Sequence, residues 1–202
     1  MARKINQSPK LPAETRKLQL LESAKNLFVK KGFRMTSTEE IARNAGLTKG
    51  ALYFHFKKKE DILFELIKKI WDDGQKAMRA ELPERSHPTA FMEAALNFHS
   101  ACELTDYWDM LDLWIQGLRI PRIKKYIAKR MIDQMEGMGE MLEPAFGNKR
   151  QRANIALFIV ALCDGMSFLD HIYHEGVDIK GQVRMFDKMV SALNQNAGGK
   201  KS

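Results

Sequence analysis

Cysteine is scarce in this chain: two in 202 residues, Cys102 and Cys163. Both fall in helix-patterned stretches. A disulfide scaffold is therefore not expected, and a reducing compartment is the simpler setting. Only six prolines occur, and 45% of residues are hydrophobic, so the chain has material for a core. Long apolar runs are also missing. The longest, ANIALFIVALC at 153–163, falls short of the roughly 20 residues a membrane-spanning helix needs. The first residues, MARKINQSPKLPAETRK, carry no apolar segment of the secretory kind. A cytoplasmic location with no membrane contact is expected. No stretch alternates like a strand. Catalytic patterns are wanting as well. There is no phosphate-cradling glycine loop, no helix-borne HExxH and no credible nucleophile–base set. Asp164, Ser167 and His171 all sit on one helix, which is poor triad geometry. His171 and His174 have helical spacing but no third ligand in register, so no metal or other cofactor is expected. The chain does not read as an enzyme.

Charge is plentiful and unevenly placed. The net charge is +8, yet residues 1–60 hold 14 Lys+Arg against 5 Asp+Glu, and residues 61–202 hold 19 against 20. The entire positive excess lies in the first third. A surface of that kind attracts polyanions, nucleic acid first and anionic membrane second.

The apolar positions follow a helical period throughout. Leu20, Ala24, Leu27 and Phe28 form one face of a first helix, from Pro12 to Lys31, with Gly32 at its end. Ser37 and Glu40 have the spacing of a capping box, which starts a short helix near Thr38. It stops at Ala45-Gly46. Thr48 then offers an N-cap hydroxyl for a second short helix reaching His55. A linking helix follows over about 58–80. Five more are expected at about 88–103, 106–117, 121–144, 150–174 and 180–195. The fold class is all-α with about nine helices. The expected divisions are a basic arm at 1–11, a DNA-binding domain at 12–60, a body at 81–197 and a disordered tail at 198–202.

Two short helices joined by a tight glycine turn form a helix-turn-helix. Ala42 is small where the helices cross, Gly46 supplies positive φ, and Ile41, Leu47 and Leu52 supply the shared core. The stretch AKNLFVKKGFRMTSTEEIARNAGLTKGALYFHFKKKEDIL resembles the DNA-binding domain of the TetR family of bacterial transcriptional regulators. Its family pattern, roughly "eIA..aGvs.g.lY.hF..Ke.L", is met by Glu40, Ile41, Ala42, Ala45, Gly46, Leu47, Thr48, Gly50, Leu52, Tyr53, His55, Phe56, Lys59, Glu60 and Leu63. The resemblance implies an all-α homodimer with a C-terminal domain for effector binding and dimerisation. It also implies repression at a near-palindromic operator in double-stranded DNA, with release by a small hydrophobic or amphipathic molecule.

A recognition helix enters the major groove N-terminus first. Leu52 and Phe56 would then face inward. Lys49 is the candidate for guanine O6 and N7, Gly50 and Ala51 keep the helix start thin, and Phe54 can touch thymine methyls. The resemblance assigns Tyr53, His55 and Lys59 to phosphates, and all three are hydrogen-bond donors. Thr36, Ser37 and Thr38 at the start of the preceding helix are further phosphate candidates. Lys57 and Lys58 either add general attraction or are a solvated charge run. Arg3, Lys4 and Lys10 belong either to a DNA-contacting arm or to a solubilising tail.

In the body, helix 150–174 is expected to be apolar on two sides. Ile155, Phe158, Ile159, Leu162, Met166, Leu169 and Tyr173 lie on one side, and Leu157, Val160, Ala161, Asp164 and Phe168 on the other. The resemblance pairs the last two helices with their copies. Met131, Met135, Met138 and Met141 stand at i, i+4, i+7 and i+10, an adaptable surface. With Phe91, Phe98, Trp108, Met110, Trp114, Phe158 and Leu162 they make a candidate effector pocket, or else an ordinary methionine-rich core. Asp164 would need a partner if buried, either a ligand group or a protein group. Asp109 and Asp112 beside the tryptophans suit a lipophilic cation or a solvated helix side. The alternative function is an effector-independent DNA-binding or architectural protein controlled by a protein partner.

Overall fold

A computed structural model describes residues 12–81, 87–101, 104–143, 146–173 and 178–198. The described residues form nine helices and no strand: α1 (Ala13–Lys31), α2 (Thr38–Asn44), α3 (Lys49–His55), α4 (Lys59–Glu81), α5 (Pro88–Ala101), α6 (Leu104–Leu118), α7 (Pro121–Met141), α8 (Lys149–Ile172) and α9 (Ile179–Gly198). The expected boundaries are met within a few residues. The last helix runs on to Gly198, into the stretch expected to be a tail. The expected basic arm, 1–11, lies outside the described residues.

The chain divides into two compact units. One is residues up to Trp71 together with Asp109–Ile123, and the other is Asp72–Trp108 with Lys124 onward. The boundary thus falls inside α4, and the first unit also takes the end of α6 and the start of α7.

In the first unit, α1 ends where Gly32 adopts φ +86° and donates to the Phe28 carbonyl at 2.8 Å. Ser37 and Glu40 make the capping box in both directions. Glu40 N donates to Ser37 Oγ at 3.2 Å, and Ser37 N donates to Glu40 Oε2 at 2.9 Å. At the other end of α2, Leu47 N reaches the Ala42 carbonyl at 2.8 Å and Gly46 N the Arg43 carbonyl at 3.1 Å. That bond pair is a Schellman motif, and it needs the left-handed Gly46, φ +67°. Thr48 Oγ1 then accepts from Ala51 N at 3.1 Å and opens α3. Both short helices pack on α1 through fully buried Leu20, Phe28, Ile41, Leu52 and Phe56. One polar tie lies among them: Ser23 Oγ donates to the Ile41 carbonyl and accepts from Asn44 Nδ2.

In the second unit, α5 packs against α8 and α9 around Phe91, Met92, Met135, Ile159, Cys163 and Phe186. Cys163 is a core thiol whose pKa burial pushes up to about 12, so it stays protonated. Asn148 and Gln151 form a second capping box at the start of α8. Arg152 donates to the Gly139 and Gly147 carbonyls, at 3.0 and 2.5 Å, beside the close approach of α7 to α8.

Helix α8 is two-sided, but its phase differs from the sequence expectation. Ala156, Ile159, Cys163, Met166 and Ser167 face the core. Leu157, Phe158, Phe168, Leu169, Ile172 and Tyr173 are exposed, as are Met185 and Met189 of α9. By length and composition α8 is apolar enough to span a membrane, although its uninterrupted apolar run is short, because scattered polar residues do not outweigh its apolar ones. Its inner side packs in the helical core like that of a core helix.

Candidate nucleic-acid interface

The turn between α1 and α2, the start of α2, and the end of α3 with the following residues enclose an open groove. Its volume is about 460 Å³, and it is lined by Arg34, Met35, Thr36, Ser37, Thr38, Glu39, Tyr53, Lys57, Lys58 and Lys59. Four of those ten are cations and one is an anion. Thr38 Oγ1 and the Tyr53 hydroxyl meet across it at 3.1 Å. Beside it α3 presents Lys49, Gly50, Tyr53 and Phe54 to solvent, and Phe54 is 74% exposed. A large ring so exposed next to a cationic groove is not a core residue out of place. It stands where Lys49 stands, on the outward ridge of the recognition helix, while Ala51 is half-buried behind them.

Several expected contact residues have other duties. Lys59 is directed away from solvent: its ammonium donates to the carbonyls of Phe33, Arg34 and Thr36 at 2.7, 3.2 and 2.7 Å and lies 4.6 Å from the Phe33 ring centre. All three protons are used, and burial lowers its pKa. Thr36 is 1% exposed and donates to the Gly32 and Leu27 carbonyls, so it closes the turn from within. Ser37 is committed to the capping box. His55 is half-buried, and its Nε2 is enclosed with no hydrogen-bond partner in the structure. Burial first, then Arg16 and Lys17, lower its pKa, so it is neutral near pH 7. The groove adds three residues the sequence reading did not single out, Arg34, Met35 and Glu39. Glu39 forms an ion pair with Lys49.

Among the described residues of the second unit, the expected effector residues do not form one cluster. Phe91, Met135 and Met138 lie in the buried core of the second unit, with Leu162 packed against it. Met131, Phe158 and Asp164 are at the surface, because the phase of α7 and α8 turns them outward. Trp114 belongs to the first unit, where its ring stacks on Trp71 at 5.0 Å. The side chains of Phe98, Trp108, Met110, Asp109 and His171, and all of His174, lie outside the described residues. A small cavity of about 10 Å³ touches Met78, Met138 and Met141 together with Gln75, Arg79, Gln134 and Gly137.

The model of the family described as "Bacterial regulatory proteins, tetR family" matches residues 20–66, which hold the end of α1, both short helices and the start of α4. The HTH-type transcriptional regulator AcrR of Shigella flexneri is 46% identical over 72 residues, 36% of this chain and 30% of that protein. The match therefore spans under a third of AcrR. The HTH-type transcriptional regulator YfiR of Bacillus subtilis is 24% identical over 173 residues, 79% of this chain and 83% of its own length. The fold as a whole is shared with a Saccharomonospora viridis protein whose crystal structure holds choline. The TM-score is 0.66 at 18% identity, over 89% of this chain and 97% of that one. With its head motif built as described, the chain matches the TetR family of bacterial regulatory proteins over residues 20–66, and its helical body is alike in fold to the S. viridis protein.

Proposed function

We propose that the protein is a homodimeric transcriptional repressor of the cytoplasm. It binds a near-palindromic operator through two helix-turn-helix heads and leaves it when a small hydrophobic or amphipathic molecule binds the helical body. The observation that carries the reading is the cationic groove beside an exposed α3 ridge. Phosphates would lie in the groove against Arg34, Lys57, Lys58, Thr38 and Tyr53, and Lys49 and Phe54 would reach base edges. Ser37, Thr48, Gly50 and Ala51 shape the two helix starts, and Thr36 and Lys59 hold the loop behind the groove.

The dimer is supported by the exposed apolar side chains Phe158, Ile172, Met185 and Met189, which water would otherwise meet. The effector is supported by the methionine- and phenylalanine-rich core of the second unit and by choline in the S. viridis structure. The test is a thermal-shift screen of small hydrophobic and amphipathic compounds, choline included, with release of bound duplex as the readout. A compound that raises Tm and releases DNA is the expected result. Stabilising compounds that leave DNA bound would favour the effector-independent alternative.

A further inference from the structure

Among the described residues lining the groove, Glu39 is the one acid, and a carboxylate set among phosphates would weaken binding unless it had a task. Its surroundings define that task. Glu39 is the second residue of α2, and Lys49 is the first of α3. Their side chains form an ion pair, each about half exposed. Thr38 Oγ1 donates to Glu39 Oε2 at 3.2 Å and meets the Tyr53 hydroxyl at 3.1 Å, and Lys49 Nζ lies 5.8 Å from the Tyr53 ring centre. The four side chains form a closed ring, so Glu39 and Lys49 are held side by side at the leading edge of the recognition helix. The Glu39 carboxylate raises the pKa of Lys49, and the Lys49 ammonium lowers that of Glu39, so both remain charged.

On the reading that this head binds DNA, we infer that Glu39 is a specificity-determining residue that reads one base pair jointly with Lys49. The major-groove edge of a base pair carries a keto oxygen and an exocyclic amine hydrogen-bonded to each other. A protein ammonium and carboxylate that are hydrogen-bonded to each other have the complementary pattern. Lys49 donates to the keto oxygen, and Glu39 accepts from the amine. Guanine suits Lys49 better than thymine, because N7 is a second acceptor where thymine has a methyl. The duo therefore selects a G·C pair in one orientation: guanine on the Lys49 side, cytosine N4 on the Glu39 side. Reversing the pair sets amine against ammonium and keto oxygen against carboxylate, a repulsion on both sides.

The experiment selects duplexes from a randomised library with the full-length protein. It then measures binding of wild type, Glu39→Gln and Glu39→Asp to the selected site and to each single-pair variant of it. Wild type should prefer one G·C pair per half-site by roughly tenfold or more over its reversal. Glu39→Gln should lose most of that preference at that pair alone, because an amide can both donate and accept. It should also bind non-specific duplex more tightly, since a negative charge has gone. Glu39→Asp keeps the charge but withdraws it by one methylene, and should lose the preference without that gain. If all three proteins keep the same preference at every pair, Glu39 is not a specificity residue, and the DNA-binding reading stands without it. If wild type enriches no sequence, that reading falls, and Glu39 with it.

Discussion

At the scale of single residues, side chains in this head divide between building the groove and facing what enters it. Lys59 and Thr36 build. Lys59 donates to three carbonyls in the loop between α1 and α2, and Thr36 shares its one hydroxyl proton between the Leu27 and Gly32 carbonyls at the end of α1. Charge-assisted hydrogen bonds contribute about 1.5–3 kcal/mol each at most, and less where water competes. Lys59→Ala should therefore lower the stability of the protein, by about 1–3 kcal/mol in a urea titration, before it alters any affinity measured on folded protein. A Lys59→Ala variant with wild-type stability and weakened DNA binding would restore it to the phosphate-contacting set. Lys49→Ala should do the reverse, leaving stability within about 0.5 kcal/mol because the residue is exposed and costing about 1–3 kcal/mol on the selected site. Sequence pattern pointed to this neighbourhood but not to this division. Thr36 and Lys59 are 23 residues apart, and only the folded loop brings the ammonium to carbonyls that nothing in their spacing announces.

At the scale of elements, the helix-turn-helix was legible because its constraints are local. A capping box spans four residues, and a Schellman turn needs one left-handed residue, so Ser37, Glu40 and Gly46 could be read directly. Their failure should be local too. Gly46→Ala forces a Cβ into φ +67° and should cost about 1–2 kcal/mol of stability. The capping box gives a pH signature. Lys31 first, then the backbone N–H and hydroxyl of Ser37, hold the Glu40 carboxyl down to about 2, against 4.5 without partners. A depressed carboxyl favours the folded state fully above 4.5 and loses that contribution as the pH falls towards 2. Wild type minus Glu40→Gln, compared by thermal unfolding from pH 6 to pH 2.5, should shrink across that window. A difference constant across it would contradict the assignment. The long helices were harder to read. α8 is apolar on more than one side, so its sequence does not fix which apolar side faces in, and Phe158 and Leu169 proved exposed while Cys163 is buried. The α7–α8 crossing was illegible for a different reason. A Cβ on Gly139 would stand 2.6 Å from Ala153 N, a close backbone approach that the apolar pattern does not record. Gly139→Val should lower Tm by several degrees.

At the scale of the molecule, the positive excess lies in the first third of the chain, which holds the cationic groove, and the nearly neutral remainder includes a helical body with exposed apolar side chains. Those side chains make the assembly testable. Phe158→Glu with Phe168→Glu should leave helicity intact by circular dichroism and convert a dimer to a monomer in sedimentation equilibrium at micromolar concentration. A wild type already monomeric there would remove the dimer. The central claim, that α3 reads DNA sequence at its exposed ridge, is most directly tested by footprinting the full-length protein and Lys49→Ala on a duplex selected from a random library. Wild type should protect two half-sites related by a two-fold axis, and Lys49→Ala should lose that protection at equal concentration. Equal protection by both proteins, or protection by wild type that is indifferent to sequence, would contradict it.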